Sequence, residues 1–214
     1  MVCNLLKSCS ESIQHVKARQ NFRGNHLKRK SDNQLQHSQA IRELPLNIPL
    51  CNNRERQKKC VEFLDNCSKP TCKERGKSYT LIQCTQVPRH EVICYHIDEG
   101  VIDDTTVTKC DYAFFLRDSP SLKHSKGTII LIELKGIDTK HAIEQLINTL
   151  HQPAFSDVWE GHRVLGRVVN TASVPKIRAT DLFLDAYEEF YHLHGNLKIH
   201  EENFIETYEQ LDAD

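Results

Sequence analysis

Two charged residues interrupt the most apolar run of the chain. In residues 127–135, Gly-Thr-Ile-Ile-Leu-Ile-Glu-Leu-Lys, Glu133 and Lys135 stand two apart. In a strand that spacing puts both on one face, while Ile132 and Leu134 point the other way. A run this apolar reads as a central strand buried on both faces. Charges at its end cost several kcal/mol unless paired, so they need each other, a metal ion or a substrate. A structural Glu–Lys ion pair at the strand exit is the competing reading.

Asp111 adds a third charge in a similar setting. It lies in Lys-Cys-Asp-Tyr-Ala-Phe-Phe-Leu, residues 109–116, an acid among apolar neighbours. The interval to Glu133 has room for a strand, a loop and a return strand, which would bring the two carboxylates together on adjacent strands. Converging carboxylates suit a hard cation such as Mg²⁺. A nearby ammonium can orient or help deprotonate an attacking water, or stabilise charge on a pentavalent phosphate. Together these are the parts of metal-assisted phosphodiester hydrolysis.

Asp111 followed by Glu133-Leu-Lys135 in a strand–strand–helix–strand context resembles the PD-(D/E)xK nuclease superfamily, the restriction-endonuclease-like fold. The likeness covers roughly residues 54–194, with the motif itself in 111–145. It implies a nuclease dependent on Mg²⁺ or Mn²⁺, with Asp111 and Glu133 as metal ligands and Lys135 as the catalytic helper. It also implies a site-facing Gln on the next helix, matched by Gln145, and an acid from the first helix, matched by Glu62 and less well by Glu55. Cys110 stands before Asp111 where the family often has Pro. DNA is the implied substrate ahead of RNA, in restriction, phage defence or repair. A catalytically silent module on the same fold, binding nucleic acid or recruiting a partner, is the alternative.

The elements that must position these residues follow from periodicity and punctuation. Val61 and Leu64, with Cys60 and Cys67, suggest a helix over 53–66. Residues 68–77 read as a loop. Residues 79–87, 90–97 and 107–116 read as strands, with a turn at Asp98-Glu99-Gly100; Asp98 fits a turn role. Residues 118–126 read as a polar loop. After Gly136, Asp138 or Thr139 can cap a helix whose stripe is Ala142, Ile143, Leu146, Ile147 and Leu150. Residues 162–170 read as a strand and 180–194 as a helix stopped by Gly195. Phe204 and Tyr208 suggest a short docked element at the end. The expected architecture is α/β (α+β), a mixed central sheet flanked by helices.

Charge is distributed unevenly. The 214 residues carry 28 Lys+Arg and 29 Asp+Glu, a net of −1. Residues 1–78 hold 16 basic and 7 acidic side chains, and the final 34 residues hold ten acids and one base, Lys198. Residues 1–50, poor in large apolar side chains, read as a loosely ordered basic arm ahead of one domain over 51–214. The arm and Arg54, Arg56, Lys58 and Lys59 are expected to contact phosphates, adding affinity without sequence information. A partner protein or a second copy of the chain is compatible with this split. No apolar run approaches the ~18 residues of a membrane span, and the first residues lack the apolar core of an export signal. Nine Cys without that signal read as reduced thiols in a cytoplasmic protein.

Other constellations compete less well. Cys51, Cys60, Cys67 and Cys72 could hold a structural Zn²⁺, but no Cys-x-x-Cys pair is present. His192, His194 and His200 cluster near a helix exit, where histidines more often meet free carbonyls or solvent. No glycine-rich phosphate loop exists, which argues against ATP or NAD use.

Overall fold

The computed structural model describes residues 60–64, 67–83, 91–98, 100–102, 104–117, 127–171 and 177–212. The arm over 1–50, together with Cys51, Arg54, Glu55, Arg56, Lys58 and Lys59, lies outside the described residues. So does the polar segment 118–126.

The described elements run β1 (Val61–Phe63), β2 (Thr71–Glu74), β3 (Lys77–Ile82), β4 (Val92–His96), β5 (Tyr112–Leu116) and β6 (Thr128–Leu134). Helix α1 (Thr139–Leu150), β7 (Arg163–Asn170), helix α2 (Asp181–His192), β8 (Leu197–Glu201) and β9 (Asn203–Thr207) follow. The fold is mixed α/β. A six-stranded sheet has the order β1-β4-β5-β6-β7-β8, and a three-stranded sheet the order β2-β3-β9. In the larger sheet β1, β4, β5 and β6 pair antiparallel, whereas β6–β7 and β7–β8 are parallel. Each parallel step needs a crossover, and α1 and α2 supply them.

All seven residues of β6 are buried, as expected for a strand covered on both faces. One face carries Ile93, Tyr95, Ala113, Phe115, Ile129, Leu131, Val164 and Val168, packed with Ala142, Ile143 and Leu146 of α1 and Phe183, Ala186 and Phe190 of α2. The opposite face carries Val92, Cys94, Phe114, Leu116, Ile130, Ile132, Leu165 and Val169. These pack with Cys72, Tyr79, Leu81 and Phe204 of the smaller sheet. The result is three layers: helices, large sheet, small sheet.

The two helices begin where capping chemistry predicts. The Asp138 side chain accepts the His141 N–H at 3.1 Å and the Thr180 hydroxyl accepts the Phe183 N–H at 3.4 Å. At the end of α1 the Trp159 indole donates to the Leu150 carbonyl at 2.8 Å, satisfying an acceptor the helix leaves free.

Four expectations change. Residues 61–63 form an edge strand, with Val61 opposite Tyr95 and Phe63 opposite Ile93, rather than part of a helix. Two apolar positions at helical spacing carry less weight than β-branched and aromatic residues with a sheet edge to join. Residues 71–77 are not a loop but most of a hairpin, β2–β3, closed by Arg75-Gly76. The strand read over 107–116 starts only at Tyr112. Before it, the Asp104 carboxylate accepts both the N–H and the hydroxyl of Thr106, a turn that competes with extended chain. Finally, the acidic end forms two strands, β8 joining the large sheet and β9 the small one.

A charged network joins the two sheets. Arg167 of β7, fully buried, donates to both carboxylate oxygens of Glu206 on β9 at 2.7 and 3.1 Å. Tyr79 and Lys198 also donate to Glu206, and Asn196 accepts from Arg167. Each buried charge is thus paired and hydrogen-bonded, the condition under which burial is tolerated. Among the described residues no helix is long and apolar enough to cross a membrane.

Candidate functional site

The site lies where β5 begins and β6 ends. Register pairs Tyr112 with Ile132, so Asp111, one residue earlier, comes beside Glu133, one residue later. The adjacency expected from the spacing is present, but Asp111 sits just before its strand rather than within it. That offset has a use. The Lys135 N–H donates to Val169 on the β7 side, so the Leu134 N–H faces the side where β5 has run out. Asp111 Oδ2 accepts that N–H at 2.7 Å, a side chain completing the ladder.

Glu133 is buried, 1% exposed, on the helix-facing side of the sheet. Its Oε1 lies 3.8 Å from Lys135 Nζ, and its Oε2 is buried without a hydrogen-bond partner. Burial pushes its carboxyl up to about 9, the Asp111 charge adds to this and Lys135 opposes it. Burial also pushes Asp111 up to about 7, against the lowering effect of the Leu134 N–H and with further raising by Glu74 and Asp98. Two carboxylates that disfavour each other's charge gain most from a cation between them.

Lys135 is turned away from full pairing with Glu133. Its ammonium donates to Gln145 Oε1 at 2.7 Å, and Gln145 Nε2 donates to the Lys109 carbonyl at 2.8 Å. The Thr149 hydroxyl accepts the Cys110 N–H at 2.8 Å, so α1 grips the segment leading into Asp111 at two points. Lys109 extends to Asp98 at 3.0 Å. Asp98 therefore holds the approach to the site as an ion-pair partner, and its N–H and that of Ile97 both donate to the Asp111 carbonyl.

Asp111, Glu133, Lys135 and Gln145 thus come together. Glu62 does not join them. Its cross-strand line runs through Cys94, Phe114 and Ile130, the sheet face opposite Glu133. There it sits near His96, whose imidazole is pushed down by burial and partly lifted by the Glu62 charge. The proposed thiol set is also divided: Cys60 packs in the helix-side core and Cys72 in the other. His192 lies 3.5 Å from Glu188, and His200 stacks on Phe204.

Two neighbours went unread in the sequence. Glu74, at the end of β2, stands close enough to Asp111 for its charge to raise the Asp111 carboxyl. Its signal was Arg75-Gly76 between two β-rich segments, a two-residue hairpin pattern. Asn170 ends β7 two residues beyond Val168, the partner of Glu133, and so shares its face. It is fully buried, its Nδ2 donates to Thr139 Oγ1, and its Oδ1 has no partner. A polar residue closing an apolar strand is the same signal that marks Glu133.

Asp111 and Glu133 are the residues that could hold a divalent cation here. Mg²⁺ keeps several waters and takes one or two carboxylates plus substrate phosphates. Asp111 and Glu133 match that demand, and the unpartnered Glu133 Oε2 is an oxygen in need of a positive neighbour. Among the described residues no group of three or more His, Cys, Asp or Glu is arranged to hold a metal ion. Comparison with known protein families, with curated proteins and with solved structures gives no match.

Proposed function

We propose that this chain is a divalent-metal-dependent nuclease hydrolysing phosphodiester bonds, DNA ahead of RNA, on a restriction-endonuclease-like core. The observation that carries the reading is Glu133, a buried carboxylate with one oxygen unpartnered, beside Asp111 and a lysine held off by Gln145. A structural ion pair would close Glu133 onto Lys135; the 3.8 Å separation and the shorter bond to Gln145 argue against that role. The order β5, β6, α1, β7 around these residues supports the family likeness.

Bound Mg²⁺ or Mn²⁺ would supply Lewis-acid polarisation of the phosphate and lower the pKa of a bound water. Asp111 and Glu133 would hold it. Asp111 is oriented by the Leu134 N–H, which donates to its Oδ2. Lys135 offers its remaining donors to the attacking water or a non-bridging phosphate oxygen, where charge develops in the transition state. Gln145 sets the direction of that ammonium.

The test is the purified full chain with single- and double-stranded DNA and RNA, in Mg²⁺, Mn²⁺ or EDTA, beside Asp111→Asn. Cleavage in metal, none in EDTA and none by the variant is expected. No cleavage of any substrate, or equal cleavage by the variant, overturns the reading.

A further inference from the structure

The β2–β3 hairpin ends at the site, and its tip carries charge of the opposite sign to the carboxylates. Glu74 pairs with Lys77 across the hairpin, leaving Arg75-Gly76 as the two-residue loop. The register puts Glu74 and Lys77 on the face shared with Cys72 and Tyr79, the face turned toward the large sheet. Glu74 stands beside Asp111, whose carboxyl its charge raises, and lies 3.3 Å from the Arg75 guanidinium. The Tyr112 hydroxyl donates to the Lys73 carbonyl at 3.4 Å. The tip is therefore tied to the start of β5 by the Tyr112 hydrogen bond, with Glu74 set beside Asp111.

Arg75 occupies a conformation that does not suit it. Its φ is 45° and that of Gly76 is 80°, both positive as a type I′ turn requires. Asn or Asp followed by Gly is the favoured pair there, and a long side chain at positive φ costs energy. The Arg75 side chain is 89% exposed, so packing does not recover that cost. A guanidinium held in a disfavoured turn, exposed, and paired with the Glu74 that neighbours Asp111 is placed for an anion that approaches Asp111.

We infer that the β2–β3 hairpin is a phosphate clamp, with Arg75 and Lys77 holding the nucleic-acid backbone beside the reacting phosphodiester. This rests on the nuclease reading and gives its substrate a second point of attachment. Arg75 supplies a fork of donors matched to phosphate oxygens and Lys77 a point charge. On binding, phosphate takes the place of Glu74, now paired with Arg75 Nε, as the partner of that guanidinium. Lys73, paired with Ser78 on the opposite hairpin face, takes no part.

The experiment measures binding of the full chain to a labelled 30-base-pair DNA duplex, and to an RNA duplex of equal length, in EDTA from 50 to 200 mM salt. Arg75→Asn with Lys77→Gln is compared with Lys73→Gln and wild type, with melting temperature recorded for each. Two lost phosphate contacts lower the salt slope by about 1.8, so the affinity lost over that salt range shrinks about tenfold. Lys73→Gln leaves the slope unchanged. Because Asn suits the turn better than Arg, the double variant holds or raises the melting temperature while binding falls. A structural role for Arg75 predicts the opposite: lower melting temperature with binding unchanged. An unchanged slope in the double variant, or no binding of either duplex by wild type, overturns the clamp; the latter result would favour a protein partner for the tip. Cleavage by wild type with an unaltered slope removes the clamp and keeps the nuclease. A reduced slope without cleavage keeps the clamp and removes the nuclease.

Discussion

The Lys135 ammonium lies 2.7 Å from Gln145 Oε1 and 3.8 Å from Glu133 Oε1, so the helix, not the neighbouring carboxylate, sets its direction. Lys135→Ala should leave Mn²⁺ affinity nearly intact and abolish cleavage, a loss confined to the transition state. Gln145→Ala should lower kcat about tenfold, since the lysine survives but is less directed. Cleavage at the wild-type rate by Lys135→Ala would sink the mechanism. A drop in melting temperature as its only effect would mark the lysine as structural.

Asp111→Asn and Glu133→Gln retain shape and remove charge. Each should reduce Mn²⁺ affinity and cleavage at least ~100-fold with the fold intact, because a lost ligand loses stabilisation of developing charge. Titration calorimetry with Mn²⁺ and circular dichroism on the two variants check this. Wild-type affinity in either one removes it from the metal site.

The same two carboxylates should make stability depend on pH. Their folded-state pKa values are raised, so between the ordinary carboxyl range and about 9 the folded state binds more protons than the unfolded. Stability is then present at low pH and lost as pH rises through that window. Urea unfolding in EDTA at pH 5 and pH 9 should show the loss, and Glu133→Gln should diminish it. Subtracting the variant's curve cancels the opposite contribution of His96, whose lowered pKa favours the fold as pH rises. Added Mg²⁺ should restore stability at pH 9, since the cation competes with protons for the carboxylates. A difference curve that is flat with pH would contradict the burial argument.

Arg167 and Glu206 make a separate prediction about the fold. Glu206→Gln leaves the Arg167 guanidinium buried with its charge uncompensated, a loss of about 3–5 kcal/mol. In a chain of this size that lowers the melting temperature by roughly 10 °C. Calorimetry on the variant tests it, and a shift within 2 °C would mean that water reaches the pair.

Local pattern determined a good deal. The run before Glu133 was apolar enough to require a strand covered on both faces, and β6 is that strand. Asp138 before an apolar stripe at helical spacing was enough to start α1. The strand alternation of Ile93 and Tyr95 was enough to choose a face. Because β6 carries Glu133 and leads into Lys135, α1 carries Gln145, and Asp111 immediately precedes β5, most of the candidate site was legible from residues close together in the chain. Each of these signals is local: a period, a cap or a break.

Tertiary contacts decided the rest. Residues 61–63 join a sheet edge whose partner, β4, lies some thirty residues on, and no local signal announces that pairing. Glu62 went with them to the far face. The end of the chain forms β8 and β9, because β7 offers one free edge and β3 another. Glu206 is an acid in an acidic tail until the fold carries it to Arg167, where burial and pairing make it part of the core. Glu74 reaches Asp111 only because the small sheet packs over the large one. In each case the partners are far apart in the chain, so what selects them is the apolar surface they bury together and the polar atoms they satisfy, quantities that exist only once the layers have closed.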